Sequence, residues 1–158
     1  GKNMAPTQTT EKSDQNDLLQ FSSFYLDGTL CGINIAQVQE INDDLNLTKV
    51  PLSPEYVMGI MNLRGQIVTI INLSMKIGFV PSEIGPKSRV VITSSKGEFI
   101  GLLVDQVTEV ITVSHQQIAN PPANIKGAQG KFFEGVFHTS NNELMALLNV
   151  EVVLDDES

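Results

Sequence analysis

Short apolar runs along this chain come in pairs, each pair joined by a short turn-forming stretch. Residues 18–26, which carry Phe21, Phe24 and Tyr25, and residues 29–35 are apolar runs split by Asp27-Gly28, which suits a two-residue hairpin turn. Residues 59–73, GIMNLRGQIVTIINL, are the stretch around which the rest is organised. Ile60 to Leu63 is apolar around Asn62, Arg64-Gly65 interrupts, and residues 67–71 resume as a β-branched run in which Thr69 alone is polar. Such residues are stiff at χ1 and suit a pleated surface, while Asn62 offers a local side-chain hydrogen bond and Gly65 a free φ, so strand, tight turn and strand are predicted. Ile67 and Ile71 would point one way and Val68 and Ile70 the other, so the second strand is expected to be covered on both faces. A lone cation, Arg64, then sits at the tip of the most buried hairpin. Residues 89–94 and 98–104 form a third pair around Ser95-Lys96-Gly97, and residues 132–137 and 144–150 a fourth across residues 139–142.

The connecting stretches carry their own signals. Residues 36–41, AQVQEI, fit one helical turn or a bent strand, and residues 42–46 form an acidic loop. Val50-Pro51 forces extension, and Ser53-Pro54-Glu55 has the cap, first-position Pro and first-turn acid of a short helix ending at Gly59. Residues 79–87 carry two Pro and a Gly and read as a linker; residues 114–117 look like the cap and start of another short helix; residues 120–130 are a Pro/Gly loop. Residues 1–17 are too polar to offset the entropy of ordering and are expected to be a disordered arm, with Gly1-Lys2-Asn3 before Met4 reading as a cloning remnant. Residues 155–158 make an acidic tail.

An internal repeat joins these pairs into two units. Residues 32–41 (GINIAQVQEI) line up without gaps on residues 101–110 (GLLVDQVTEV), with four identical positions. Later parts agree, with Gly59 against Gly135 and Ile71-Asn72-Leu73 against Leu148-Asn149-Val150. Each half, residues 18–80 and 87–154, holds four or five short strands, and a unit of that size buries too small a fraction of its surface to be stable alone. The halves are therefore expected to share a core through strands such as residues 67–71, as two interlocked small β-barrels.

Composition narrows the function. The 158 residues are 41% hydrophobic and 18% charged, as in a folded globular protein. A net charge of -8 lacks the phosphate-neutralising cations of a nucleic-acid binder and is repelled by an anionic membrane surface. Aromatic residues make up 6% and Trp is absent, so there is no base-stacking platform. Cys31 lies in an apolar stretch and is expected to act as a small hydrophobe in a reducing compartment. Without a membrane-span run or signal-peptide pattern, a cytoplasmic protein without direct membrane contact is expected.

Catalytic chemistry is thin. His115 and His138 stand at metal-ligand spacing from neither Cys31 nor each other, and no nucleophile elbow, phosphate loop or dinucleotide fingerprint appears. Asp43-Asp44 reads as a solvated pair. No enzyme, metal or cofactor is expected, which leaves protein recognition. Val38, Glu40 and Arg64 stand beside long apolar stretches, and a partly desolvated Arg can form a charge-assisted, bidentate pair with a partner's carboxylate. On residue chemistry alone, the reading of Arg64 as a solvated turn charge is slightly favoured over that contact.

Val38-Gln39-Glu40-Ile41, Pro51, the run from Gly59 to Val68 with its Asn-Leu-Arg-Gly element, residues 101–107 and Phe133-Glu134-Gly135-Val136 together resemble the CheW-like coupling proteins of bacterial chemotaxis, over residues 18–154. The resemblance implies an all-β fold of two intertwined five-stranded SH3-like barrels with a few short helices. It implies an adaptor in a two-component system, with the cytoplasmic hairpin tip of a chemoreceptor and the regulatory domain of the histidine kinase CheA as partners. Carried over position by position, Val38, Gly59 and Arg64 would face the receptor, and Glu40 and Ile41 would lie near that contact or the kinase contact. Thr69 stands where the family often has Pro, Asn72 where it often has Asp, and Asn42-Asp43-Asp44 where it is frequently basic or neutral. A CheW-like domain of a CheV-type receiver fusion or of a kinase, and a small-ligand sensor binding between the barrels, are the alternatives.

Overall fold

The computed structural model describes residues 17–125 and 127–155, so the expected arm and acidic tail lie outside it apart from Asp17 and Asp155. The strands run β1 (Leu18–Leu26), β2 (Thr29–Asn34), β3 (Val38–Asn42), β4 (Val57–Leu63), β5 (Gln66–Asn72), β6 (Arg89–Ser95), β7 (Glu98–Val104), β8 (Gln106–Ser114), β9 (Asn124–Ile125), β10 (Ala128–Gln129), β11 (Phe133–His138) and β12 (Leu144–Leu148). Three hairpins turn through Asp27-Gly28, Arg64-Gly65 and Lys96-Gly97. In each the two residues both have positive φ, between 49° and 87°. These turns have the twist that antiparallel strands favour, and the Gly in second place makes them inexpensive.

The strands make two five-stranded sheets, in the orders β11-β12-β2-β1-β8 and β3-β6-β7-β5-β4, with β9 and β10 a separate small pair. Neither sheet belongs to one half of the chain. The β1-β2 hairpin is flanked by β8, β11 and β12 of the second half, and the β6-β7 hairpin by β3, β4 and β5 of the first. The exchange is made by parallel pairing, Ile70 against Gly101 in one sheet and Leu147 against Gly32 in the other. The glycines aligned by the repeat thus have one role: a Cβ on Gly101 would overlap Ile70 and Val90, and one on Gly32 would press Met145 and Leu147.

Strand alternation distributes the apolar side chains over three clusters. Val68, Ile70, Val90, Ile92 and Leu103 pack on one face of the second sheet, and Phe21, Leu30, Met145 and Leu147 on the matching face of the first. The opposite faces, through Ile71, Val91, Leu102, Cys31, Ile33 and Leu148, meet in the large central cluster. The expectation that β5 is covered on both faces holds for Val68, Ile70 and Ile71 and fails for Ile67, which is 62% exposed. Ile67 pairs with Asn62 close to the hairpin tip, beyond the elements that cover the central face.

Other local expectations divide. Residues 36–41 become a 3-10 turn, Ile35–Gln37, followed by β3, and Ser114 caps the 3-10 turn His115–Gln117 as predicted. The helix expected between Ser53 and Gly59 does not form. The Val57 amide closes a single turn onto the Pro54 carbonyl at 3.0 Å, and Val57 onward is taken by pairing with β5. So short a segment has little helical stability to set against a strand ladder. Two short helices, Leu73–Ile77 and Val150–Val153, and the long strand β8 carry no prediction from the sequence pattern. Asn72 and Asn149 cap those helices, their side-chain oxygens accepting from Met75 N–H at 3.2 Å and Val152 N–H at 3.3 Å. Buried Asn72 also accepts from Ser82 N–H at 3.2 Å and donates to the Ser82 carbonyl at 3.0 Å, fastening the following loop.

Two outcomes follow. Asn149→Ala should lower unfolding free energy in urea by about 1 kcal/mol, the loss of one cap, and Asn72→Ala by about 2–3 kcal/mol because it also loses both hydrogen bonds to the Ser82 backbone; equal losses would contradict this. The second concerns Cys31, fully buried, whose thiol pKa is pushed far up by burial and further by the charge of Asp105. The folded thiol keeps its proton where the unfolded one, near 9.0, releases it. Its contribution is therefore complete below that value and is lost as pH rises beyond it, by about 1.4 kcal/mol per pH unit relative to Cys31→Ala; parallel stability curves for the two proteins would refute it.

Candidate functional site

The β4-β5 turn is built as its sequence suggests, with Gly65 N–H donating to the Asn62 side-chain oxygen at 2.8 Å and Arg64 and Gly65 at φ 51° and 87°. From this tip the Arg64 guanidinium reaches across the sheet and donates through Nη2 to Glu40 Oε1 on β3. β3 and β4 are the two edges of one sheet, so the sheet curls enough to bring its edges together at this end. The Arg64 side chain is 74% exposed and that of Glu40 27%. Glu40 raises the Arg64 pKa, first by hydrogen bonding and then by charge; for a group already cationic at any ordinary pH this fixes position, not protonation. Beneath the pair is a shallow cavity of about 270 Å³ lined by Gln39, Leu63, Ile92 and Phe99.

The five candidate residues fall into three groups. Glu40 and Arg64 form the ion pair. A bulge at Gln39 breaks the alternation of β3, so that Val38 stands opposite Thr93, Glu40 opposite Ile92 and Ile41 opposite Val91. Val38 and Ile41 consequently share the face of the central cluster, with Val38 half-buried against it and Ile41 42% exposed. Val38 thus has a packing role that its sequence position does not reveal. Gly59 is buried and serves the backbone. Its φ is 152°, and a Cβ there would come within 2.5 Å of the Thr48 carbonyl, where Thr48 and Ile60 exchange hydrogen bonds of 2.8 and 2.9 Å. Gly135 stands at the corresponding bulge of β11 beside the Ala119–Val136 bridge. The repeat also supplies counterparts of Val38 and Ile41 on β8, namely Val107, packed on the central cluster, and Val110, 55% exposed; the alignment of residues 101–110 was the signal for them.

Among the described residues, no group of three or more His, Cys, Asp or Glu side chains is placed to hold a metal ion, and no helix is long and apolar enough to cross a membrane. Asp43-Asp44 lies in an exposed loop whose side chains accept from their own backbone, Asn42 from Asp44 N–H at 2.7 Å and Asp44 from Asn46 N–H at 3.0 Å. Tyr25, on the other sheet, donates to both oxygens of Glu143 at 3.1 and 2.9 Å, and that hydrogen bond, then burial, then the charge of Glu143 raise the Tyr25 pKa.

A two-sheet β protein that offers a braced guanidinium and exposed apolar strand positions is a recognition module. The CheW-like domain model matches residues 20–158. The chemotaxis protein CheW of Bacillus subtilis is 28% identical over 135 residues, covering 85% of this chain and 86% of that protein, and CheW of Rhizobium meliloti is 30% identical over 125 residues, covering 79% and 80%. The crystal structure of the scaffolding protein TtCheW from Thermoanaerobacter tengcongensis superposes with a TM-score of 0.79 at 31% identity over 87% of this chain and 88% of that one. The chemotaxis protein CheV3 of Helicobacter pylori is 29% identical over 79% of this chain, which spans 41% of CheV3. This chain belongs to the CheW-like domain family.

Stability should separate the candidates. Gly59→Ala is expected to cost about 1–3 kcal/mol through the clash with Thr48, whereas Arg64→Ala should leave the melting temperature nearly unchanged because an exposed ion pair contributes little. A large drop for Arg64→Ala would make the pair a structural clasp.

Proposed function

We propose that this chain is a non-catalytic chemotaxis scaffold that couples the cytoplasmic hairpin tip of a chemoreceptor to the regulatory domain of the histidine kinase CheA, in the cytoplasm. Membership in the CheW-like family supports the adaptor role. The observation that carries the site is Arg64, held on a tight turn by Glu40 with most of its side chain exposed. A guanidinium has five N–H donors, so the contact to Glu40 leaves donors for a partner's carboxylate without giving up the brace. Because Glu40 limits the conformations of Arg64, less entropy is lost when the partner arrives. Val38 and Ile41, on the other face of β3, with Val107 and Val110 from the repeat, offer apolar contact for the receptor hairpin.

A soluble receptor fragment and the kinase regulatory domain, each titrated against wild type and variants, test the reading. Arg64→Ala should weaken receptor binding by about 10- to 100-fold, in the range of a central interface arginine, and should keep the kinase contact if the two partners use separate surfaces. Val38→Asp should also weaken receptor binding, but with a loss of stability because Val38 packs on the central cluster. Ile41→Asp, at an exposed position of the same face, supplies the folded control. Unchanged receptor affinity in Arg64→Ala would return Arg64 to a solvated turn charge.

A further inference from the structure

The two halves wrap the same backbone around different interiors. Asn72 N–H donates to the Tyr56 carbonyl at 2.7 Å, and Asn149 N–H to the Phe132 carbonyl at 2.8 Å, which makes Tyr56 and Phe132 counterparts. Val57, paired with Ile71, corresponds to Phe133, paired with Leu148. Across the parallel pairs, Thr69 beside Ile100 corresponds to Ala146 beside Cys31. Phe132, Phe133, Ala146 and Cys31 are all buried. Tyr56, Val57, Thr69 and Ile100 are each only half-buried, and they line a cavity of about 720 Å³, a size typical of binding sites.

What fills the closed counterpart is visible in the chain itself. After the helix Leu73–Ile77, Gly78 turns with φ 93° and Phe79 lies down on Phe133, ring centroids 6.5 Å apart and tilted by 30°. Phe79 is 5% exposed. The corresponding helix, Val150–Val153, is followed by Leu154-Asp155 at the edge of the open cavity, and among the described residues no counterpart of Phe79 follows it. The rim carries both signs, Lys76 and Lys96 against Glu98 and Asp155, so it selects no net charge. Lys76 holds its ammonium over the Tyr56 ring at 4.3 Å, and Val57, Ile71, Ile100 and Val153 supply apolar lining beside it.

We propose that this open cavity is a docking site for an aromatic side chain carried on an extended segment of a partner protein, in the manner of the Gly78-Phe79 segment on the other sheet. A second copy of this chain does not supply that segment, because its own Phe79 is buried. The cavity is lined by other residues than the Arg64–Glu40 pair, so the two readings stand or fall separately.

The probe is the peptide acetyl-IGFVPS-amide, copying residues 77–82, titrated into the isotope-labelled full chain and followed by amide chemical shifts. Saturable shifts at Tyr56, Val57, Thr69 and Ile100 are expected, with Arg64 unmoved. The same peptide with Ala for Phe should bind at least about tenfold more weakly, the difference expected for losing a buried aromatic side chain. Thr69→Phe, which fills the cavity from its own wall, should abolish the shifts while its spectrum remains dispersed. Absence of saturable shifts, shifts centred elsewhere, or equal affinity for the two peptides would overturn the proposal. So would concentration-dependent self-association that is lost in Leu52→Ser, because the fully exposed Leu52 of a second copy would then be the occupant.

Discussion

The reciprocal parallel pairing of β5 with β7 and of β12 with β2 is the constraint on which the rest of the structure depends. Each half contributes one hairpin to the middle of its own sheet and sends its remaining main strands to the other. Neither sheet can form without both halves, and the two outer faces then meet in one central cluster larger than either sheet's own. The arrangement answers a size problem, because a half-chain has too much surface for its volume, whereas the exchanged pair shares one core. It also explains why glycine recurs at positions 32 and 101, where the side chains of the exchanged strands leave little room for a Cβ at Gly32 and none at Gly101.

The same constraint makes the site rigid. β5 is held on one side by β4 and on the other by β7, and its buried side chains face two clusters, so the turn at its start is carried on a fixed support. Arg64 and Glu40 lie at opposite edges of the sheet order and meet only because the sheet curls. The energetic roles divide accordingly. Folding rests on the apolar clusters and strand ladders, while the ion pair of the exposed guanidinium adds little to stability.

Duplication does not mean equivalence here. Capping asparagines, bulge glycines and crossing glycines are kept in both halves because backbone geometry requires them. The residues that need not obey that geometry have diverged: Phe132 against Tyr56, Cys31 against Ile100 and Ala146 against Thr69. The result is a molecule with two similar frames and different surfaces, which is what a scaffold meeting more than one partner requires.

The sequence by itself determined the β class, three of the tight turns, the internal repeat, the need for a shared core, and Arg64 at a hairpin tip. Each of these depends on short-range chemistry: alternation, positive φ at a turn, or an aligned motif. Tertiary structure decided what depends on residues far apart. It replaced the helix predicted between Ser53 and Gly59 with a turn and strand, because β4 gains a ladder from β5. It left Ile67 exposed, turned Val38 toward the central cluster through a bulge, and gave Gly59 a packing reason in the Thr48 carbonyl. The Glu40–Arg64 pair was beyond sequence for the same reason: 24 residues separate its members, and only the curl of a sheet containing strands from both halves brings them together.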